Sequence, residues 1–260
     1  MKLTFLGTGT SQGVPTIGCR CTVCRSTDPR DRRLRSSALV EWQGKRLLVD
    51  AGPDLRYQLL RAEVRHLDGI LLTHEHKDHI GGLDDVRALN FVDYPEAIHP
   101  TDIYATHRTL TTVRKDFDYA FVTNKYRGVP EIRLHEIAQS EPFCIGACEI
   151  VPIAGQHSSR FEVTGYRFGR LAYLTDFKQI AEAEVEKLMG VEVLVVNALR
   201  HTPHDSHFNV EEALALIGKV QPHRALLTHM SHEIGRHAEA QELLDDGVVF
   251  AYDGLSVEIE

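Results

Sequence analysis

Three histidines and an aspartate lie within six positions of this 260-residue chain, in the segment LLTHEHKDHIGGL at residues 71–83. The four residues are His74, His76, Asp78 and His79. Imidazole binds zinc and other first-row metals, and carboxylate also suits manganese. Helical neighbours lie three or four residues apart, so His74 and His76 cannot be a ligand pair on a helix. We therefore expect a loop at a strand end, followed by Gly81 and Gly82, which allow close backbone packing.

Three further ligand-type residues each follow an apparent strand: His157, Asp176 and His229. Two divalent ions about 3.5–4 Å apart can hold a hydroxide between them, and such a pair needs several imidazoles and a bridging carboxylate. The set predicts a first ion bound by His74, His76 and His157. It predicts a second ion bound by Asp78, His79 and His229, with Asp176 between the two. Any one of these residues alone would more often be an ordinary hydrogen-bonded polar residue, but the whole set favours metal.

The elements that must position these residues alternate between strands and helices. Continuous apolar runs such as VLVV and ALLT are typical of strands covered on both faces. Helices are predicted from Pro53, over residues 178–189, and from Asn209, where Glu212 completes a capping box. Predicted strands cover residues 3–6, 38–42, 46–49, 69–73, 149–153, 163–168, 171–175, 193–197, 225–228, 248–252 and 255–259. The predicted class is α/β (α+β), with layered sheets and outer helices.

Length and composition set broad limits on the protein class. We expect one domain over residues 1–260, and 43% hydrophobic with 25% charged residues is ordinary for a globular chain. No apolar run approaches the roughly 18 residues of a membrane helix, and the N-terminal apolar stretch is too short for a signal peptide, so we expect a cytoplasmic location. The net charge of −8 offers no general attraction to nucleic acid. The basic segment at residues 30–35 is either a solvated loop or a guide for an anionic substrate.

Three of the five cysteines lie in the segment GCRCTVC: Cys19, Cys21 and Cys24. In a reducing compartment, clustered cysteines bind metal more often than they form disulfides. His232 could supply a fourth ligand, giving a Cys₃His structural zinc site that fixes the loop at about residues 18–26 to the C-terminal metal loop. The alternative is three free thiols. Cys144 and Cys148 have apolar neighbours, and we expect both to be buried thiols.

The segment GTGTSQG at residues 7–13 resembles a nucleotide-binding loop only superficially. Gln12 stands where the dinucleotide fingerprint needs its third glycine, and Pro15 and Cys19 follow instead of a helix. We expect a tight turn that brings backbone close to the metal site.

The segment THEHKDH, the three later ligands and LLVDAG at residues 47–52 resemble the metallo-β-lactamase superfamily along nearly the whole chain. That resemblance implies a four-layer αβ/βα sandwich with a dinuclear site at one edge of its two sheets. It also implies that Asp50 supports the metal ligands through hydrogen bonds instead of binding metal itself.

The N-terminal segment through Cys24, together with His229 and His232, resembles the PhnP-type cyclic phosphodiesterases of carbon–phosphorus lyase pathways, which are related to tRNA 3′-processing endonucleases. The resemblance implies hydrolysis of a phosphate diester such as 5-phosphoribosyl 1,2-cyclic phosphate by a homodimer with two Zn or Mn ions. It implies an acid histidine, for which His207 fits best and His201 and His204 compete. A bridging hydroxide would attack in line, with catalytic residues His207, Asp78 and Asp176.

Residues 90–148 separate the alternative functions only weakly. Six basic residues against eight acidic ones give this segment a net charge of −2, which disfavours an RNA-binding arm. Its aromatic residues could line a small pocket but are more often core. A tRNA 3′-processing nuclease and a non-catalytic zinc-binding scaffold remain alternatives, whereas the cysteine cluster and the His207 region weigh against a thioester or lactone hydrolase. The expected partners are a small phosphodiester and a second copy of the chain, with neither nucleic acid nor membrane.

Overall fold

The structure, a computed structural model, describes residues 1–260 and contains fourteen strands in two sheets. The strands are β1 (Lys2–Gly7), β2 (Ser37–Trp42), β3 (Lys45–Val49), β4 (Gly69–Leu71), β5 (Thr101–Ala105), β6 (Ile132–Glu136), β7 (Phe143–Ile145), β8 (Cys148–Ser158), β9 (Phe161–Phe168), β10 (Leu171–Leu174), β11 (Val193–Asn197), β12 (Arg224–Thr228), β13 (Val248–Phe250) and β14 (Ser256–Glu258). The first sheet has the order β14-β1-β2-β3-β4-β5-β6, and the second β13-β12-β11-β10-β9-β8-β7. Strands β3 to β6 are parallel in the first sheet, as are β10 to β13 in the second.

Seven short α-helices lie outside the two sheets. They are α1 (Leu55–Arg61), α2 (Lys77–Ile80), α3 (Arg87–Asn90), α4 (His107–Asp116), α5 (Glu182–Glu186), α6 (Val210–Val220) and α7 (His237–Gln241). Helix α6 begins at the predicted capping box: the Asn209 side chain accepts from the Glu212 N–H, and the Glu212 carboxylate accepts from the Asn209 N–H. None of the helices is long and apolar enough to cross a membrane.

Three apolar clusters hold the layers together. One lies between the sheets and contains buried residues of both, among them Phe5, Tyr166 and Val195. A second packs the outer face of the first sheet against α1, α2 and α4, and a third packs the second sheet against α5, α6 and α7. Because fully burying each large apolar side chain contributes about 1.5–3 kcal/mol, these faces fix the stacking order. The four-layer sandwich with outer helices is therefore confirmed.

The predicted element bounds are wrong in several places. Strand β4 ends at Leu71 and not at residue 73, and α1 and α5 are shorter than predicted. The loop predicted for residues 74–79 is wrong in its second half, because Asp78 and His79 lie on the one-turn helix α2. Residues 90–148 contain three strands, β5 to β7, and α4, which sequence reasoning did not find. Of their aromatic residues, Phe117 is buried, whereas Tyr126 is 74% exposed and Tyr94 borders a cavity of 690 Å³.

Two further predictions about side chains need correction. Cys148 is buried, but Cys144 is exposed because the alternation of β7 turns it away from the core. The basic segment is only partly solvated: Arg32 is exposed, whereas two other arginines are held within the structure. Arg33 is buried, and Arg35 forms an ion pair with Asp54 at 3.1 Å.

Candidate metal centre

The ligand-type residues lie at one edge of the molecule, where the carboxyl ends of several strands meet. His74 lies shortly after β4, Asp176 shortly after β10, and His229 directly after β12. His157 is near the end of β8, which runs in the same direction as β10 because both pair antiparallel with β9. The carboxyl ends of parallel strands are the usual place for ligand binding in layered α/β folds.

The seven predicted ligands come together in two groups, and within each group the ligand atoms lie within 4.8 Å of one another. The first group is His74, His76 and His157, and the second is Asp78, His79, Asp176 and His229. Asp176 also groups with His157 and His207, so it lies between the two sets as predicted. The structure brings all seven residues to one place, and their binding of metal stays a prediction.

The backbone is left-handed at three residues of this edge. Asp50 and Asp176 both have φ +63°, and His229 has φ +59°. Non-glycine residues in this region cost on the order of 1–3 kcal/mol each and persist only where the surroundings hold them. Each lies just after a strand of one of the two sheets, so the turn directs its side chain into the site instead of along the sheet.

A hydrogen-bond network supports His79 from behind, as the family resemblance implied for Asp50. The buried Asp50 carboxylate lies 2.7 Å from His79 Nδ1, and it accepts the Thr73 N–H at 2.9 Å. His79 Nε2 is buried without a hydrogen-bond partner, although it lies 3.2 Å from an Asp78 oxygen and 3.3 Å from an Asp176 oxygen. A buried nitrogen aimed at two carboxylates without a hydrogen bond is an arrangement that a divalent cation completes. The residues present therefore fit a metal pair.

Electrostatics favours the ligand form of most of these groups. The exception is His79: burial opposes its charged form, but Asp176, Asp78 and Asp50 outweigh burial and raise its pKa well above the usual value. Burial lowers the pKa of four imidazoles, those of His74, His76, His157 and His229. For His229 the pKa falls to about 3. Burial disfavours the charged form of Asp176, but His229 and His79 outweigh it and hold the pKa of Asp176 well below its usual value. Neutral imidazoles beside ionised carboxylates are the forms that bind metal.

Of the three histidines that compete as the acid, His207 is the one that reaches the predicted ligands. Its Nε2 lies 3.0 Å from Asp176 Oδ1. His204 lies behind it, with Nδ1 3.2 Å from His207 Nδ1. His201 is exposed, and its Nε2 lies 3.2 Å from the carbonyl oxygen of Ile234. The geometry also allows His207 to share a metal ion with His157 and Asp176.

The cysteine cluster forms a separate group of four donors. His232 Nδ1 lies 3.3 Å from Cys21 Sγ and 3.6 Å from Cys19 Sγ, and all four ligand atoms, including that of Cys24, lie within 4.8 Å. The Cys24 N–H donates to Cys21 Sγ and is the main reason that the pKa of Cys21 falls to about 6. Burial raises the pKa of Cys24 to about 11. Three thiols and one imidazole fit a closed tetrahedral zinc site, which the structure would place between the N-terminal loop and the loop after β12.

Sequence reasoning missed a set of hydroxyl residues around the ligands: Thr10, Ser36, Thr73 and Thr175. Ser36 Oγ lies 3.1 Å from His229 Nδ1, and Thr10 Oγ1 lies 3.2 Å from His229 Nε2. For Thr73 and Thr175 the signal was a threonine directly before a ligand, a pattern that also occurs at residues 228–229. Thr10 belongs to the glycine-rich turn, and its N–H donates to the Met230 carbonyl at 3.0 Å. The turn therefore lies beside the site, as expected.

Comparisons with known proteins show which family has this fold. A family model described as a beta-lactamase superfamily domain matches residues 45–230. A crystal structure described as a new diphosphatase from the PhnP family is 39% identical in sequence, with a TM-score of 0.90 over 98% of this chain and 96% of that chain. The chain belongs to the PhnP family of the metallo-β-lactamase superfamily. This fold implies the use of divalent metal.

Two relatives of this PhnP-family chain have other names. A protein named octanoyltransferase from Porphyromonas gingivalis is 39% identical over 262 residues, which are 100% of this chain but 52% of the relative. The chain thus spans about half the length of that protein. A ribonuclease Z from Pyrobaculum islandicum is 26% identical over 269 residues, covering 89% of this chain and 87% of the relative.

Proposed function

We propose that this protein is a hydrolase that cleaves a small cyclic phosphate diester, such as 5-phosphoribosyl 1,2-cyclic phosphate, with two Zn or Mn ions in the active site. The observation that carries the proposal is the position of His207, whose Nε2 lies 3.0 Å from Asp176 Oδ1 at the boundary of the two ligand groups. A sugar alkoxide is a poor leaving group, so diester cleavage gains from a proton donor at this place. A structural zinc at the cysteine cluster and a homodimer complete the proposal.

The roles of the residues follow from their positions. The first ion would be held by His74, His76 and His157, and the second by Asp78, His79 and His229, with Asp176 shared. When bound, such ions make a nucleophile available from water at neutral pH and neutralise charge on the phosphoryl oxygens. As the new P–O bond forms and the P–O bond to the sugar breaks, the proton on His207 Nε2 passes to the sugar oxygen. The product is a phosphate monoester, and His207 regains its proton from water.

A second candidate is hydrolysis of a diphosphate bond. It is favoured by the description of the 39% identical crystal structure as a diphosphatase. The same residues could serve this reaction, but its leaving group is a phosphate, which is less basic than an alkoxide and gains less from an acid. The tRNA 3′-processing alternative has support from the ribonuclease Z relative, but the net charge of −2 over residues 90–148 counts against it.

The test is turnover by the metal-replete protein on four substrates. These are 5-phosphoribosyl 1,2-cyclic phosphate, a dinucleoside diphosphate, a tRNA precursor and an octanoyl thioester. Asp176→Asn serves as the blank, because asparagine also tolerates the left-handed backbone at this position. We expect opening of the cyclic phosphate above the blank. Turnover of another substrate alone would replace the proposal, and no turnover of any would favour a non-catalytic scaffold.

A substitution of His207 tests whether this residue is the proton donor or a metal ligand. His207→Ala should lower turnover of the cyclic phosphate by about 10²–10⁴-fold while the metal content stays unchanged. His201→Ala, which alters an exposed histidine away from the ligands, is the matched control. Loss of a metal ion from the His207 variant would show that His207 is a ligand and not the proton donor.

A further inference from the structure

Ser206 contacts both the predicted acid and a predicted metal ligand. Its main-chain carbonyl oxygen accepts a hydrogen bond from His157 Nδ1 at 2.7 Å. Its side-chain Oγ lies 3.0 Å from His207 Nδ1. One residue is therefore bonded through its backbone to one side of the site and through its side chain to the other.

The two bonds fix which nitrogen of each ring faces the site. An imidazole has two nitrogens, and the partner of one decides the tautomer and orientation of the other. With Nδ1 of His157 donating to the carbonyl, its Nε2 faces the ligand group. His207 Nδ1 lies 3.0 Å from Ser206 Oγ and 3.2 Å from His204 Nδ1. With Nδ1–H donating to the nearer Ser206 Oγ, Nε2 faces Asp176 at 3.0 Å.

His204 orients the serine hydroxyl in turn. His204 Nδ1 lies 3.2 Å from Ser206 Oγ and accepts the Ser206 N–H at 3.2 Å. A hydroxyl that donates to His204 presents its oxygen lone pairs to His207 Nδ1–H. Burial lowers the pKa of His204, and the neighbouring His207 lowers it further. The imidazole of His204 therefore stays neutral, and its Nδ1 can accept a hydrogen bond.

We propose that Ser206 is a positioning residue, whose hydroxyl accepts from Nδ1–H of His207 so that Nε2, which carries the transferred proton, is aimed at the leaving oxygen. This rests on the proposed role of His207 as the proton donor. After the proton has left Nε2, the neutral ring still keeps its Nδ1–H bond to Ser206. The ring therefore does not have to turn between one half of the cycle and the other.

The test is Ser206→Ala, which removes the hydroxyl but keeps the carbonyl that holds His157. For 5-phosphoribosyl 1,2-cyclic phosphate, kcat should fall about 10- to 100-fold with little change in KM, a fraction of the loss expected without the acid. For bis(p-nitrophenyl) phosphate, whose p-nitrophenolate leaves without a proton, kcat should change little. Ser206→Thr, which restores the hydroxyl, should recover most of the lost rate. Ser158→Ala is the matched control, because Ser158 also adjoins His157 but its Oγ accepts from the Arg160 N–H.

The outcomes separate this proposal from the proposed function. Equal losses on both substrates, no loss on either, or loss of metal from Ser206→Ala would each overturn the positioning role. If the wild-type protein does not open the cyclic phosphate, the proposed substrate fails, and ¹⁵N NMR of the histidine side chains still tests Ser206. At a pH where His207 is neutral, its resonances should report the Nδ1–H tautomer in the wild type and a mixture in Ser206→Ala. Identical tautomers in the two proteins would refute the assignment.

Discussion

Replacing Asp50 by asparagine should weaken metal binding about 10- to 100-fold and leave the fold intact. Asp50 is fully buried behind His79, and its backbone is left-handed with φ +63°. Asparagine has nearly the same shape and, like aspartate, tolerates that backbone conformation. The substitution therefore removes the charge behind His79 without adding backbone strain.

The magnitude follows from the contacts of the carboxylate. The 2.7 Å contact with His79 Nδ1 is a hydrogen bond to a charged group, and such bonds contribute about 1.5–3 kcal/mol. A 10- to 100-fold change in affinity corresponds to about 1.4–2.7 kcal/mol. Asp50→Ala should do more, because it also leaves both Thr73 donors without their acceptor and adds roughly 1–2 kcal/mol of left-handed strain.

The assay is a zinc titration in competition with a chromophoric chelator, together with urea unfolding of the metal-free proteins. Ser37→Ala is the matched control, because Ser37 Oγ donates to the main-chain carbonyl of Asp50 at 2.9 Å and not to its carboxylate. The control should bind zinc as the wild type does. Wild-type affinity in Asp50→Asn, or an equal loss in both variants, would refute the idea that the carboxylate orients His79.

Three other substitutions test separate parts of the structure. Cys21→Ser should release one zinc ion per chain and lower the Tm while the active-site ions remain, and an unchanged zinc stoichiometry by elemental analysis would rule out the structural site. Burial lowers the pKa of His237 to about 4, so the unfolded chain binds the proton more readily and stability falls as pH drops from 6.5 toward 4. His237→Asn keeps an acceptor for Arg33 without ionising, so urea titrations across that range should show a smaller fall than in the wild type, and equal falls would contradict this origin. A Cβ at Gly52 would overlap the main-chain carbonyl of Asp78 in α2, so Gly52→Ala should lower both Tm and zinc affinity. Gly218→Ala, at an exposed position of α6, should stabilise by about 0.5–1 kcal/mol, and equal Tm values for the two variants would disprove the close packing.

The residues at the metal centre could be predicted from the sequence because each lies within a few positions of a strongly apolar strand. The strands β5 and β6 were missed because their burial is one-sided or partial, so TDIYA and IRLHE do not read as continuous apolar runs. The helix predicted for residues 178–189 was too long because the first residues of this segment form backbone hydrogen bonds to a distant strand. The Lys178 N–H donates to the Gln156 carbonyl at 2.8 Å, and the Gln156 N–H donates to the Gln179 carbonyl at 2.9 Å. Residues 178–179 therefore pair with β8 before α5 begins. Such long-range pairing leaves no local signal.

Two of the hydroxyl residues around the ligands could not be predicted for the same reason, because their contacts are long-range. Ser36 and Thr10 contact His229 from more than 190 positions away in sequence, and nothing local marks them. Ser206 is close to His207 in sequence, yet its role depends on His157, which a different sheet strand supplies. The metal-ligand types could be predicted, whereas the groups that orient them depend on how the two sheets meet.

The left-handed residues connect the fold to the metal centre. Asp50 follows a strand of the first sheet, and Asp176 and His229 follow strands of the second, so the strained turns lie on both sides of the same edge. Each turn costs on the order of 1–3 kcal/mol, and this cost is present in the protein before any ion binds. Hydrogen bonds between Thr73 and Asp50 and between Ser36 and His229 hold two of these side chains, so they are already directed into the site. Because an ion that binds only the folded chain adds stability by mass action, metal bound at this edge should offset the cost of its three left-handed turns.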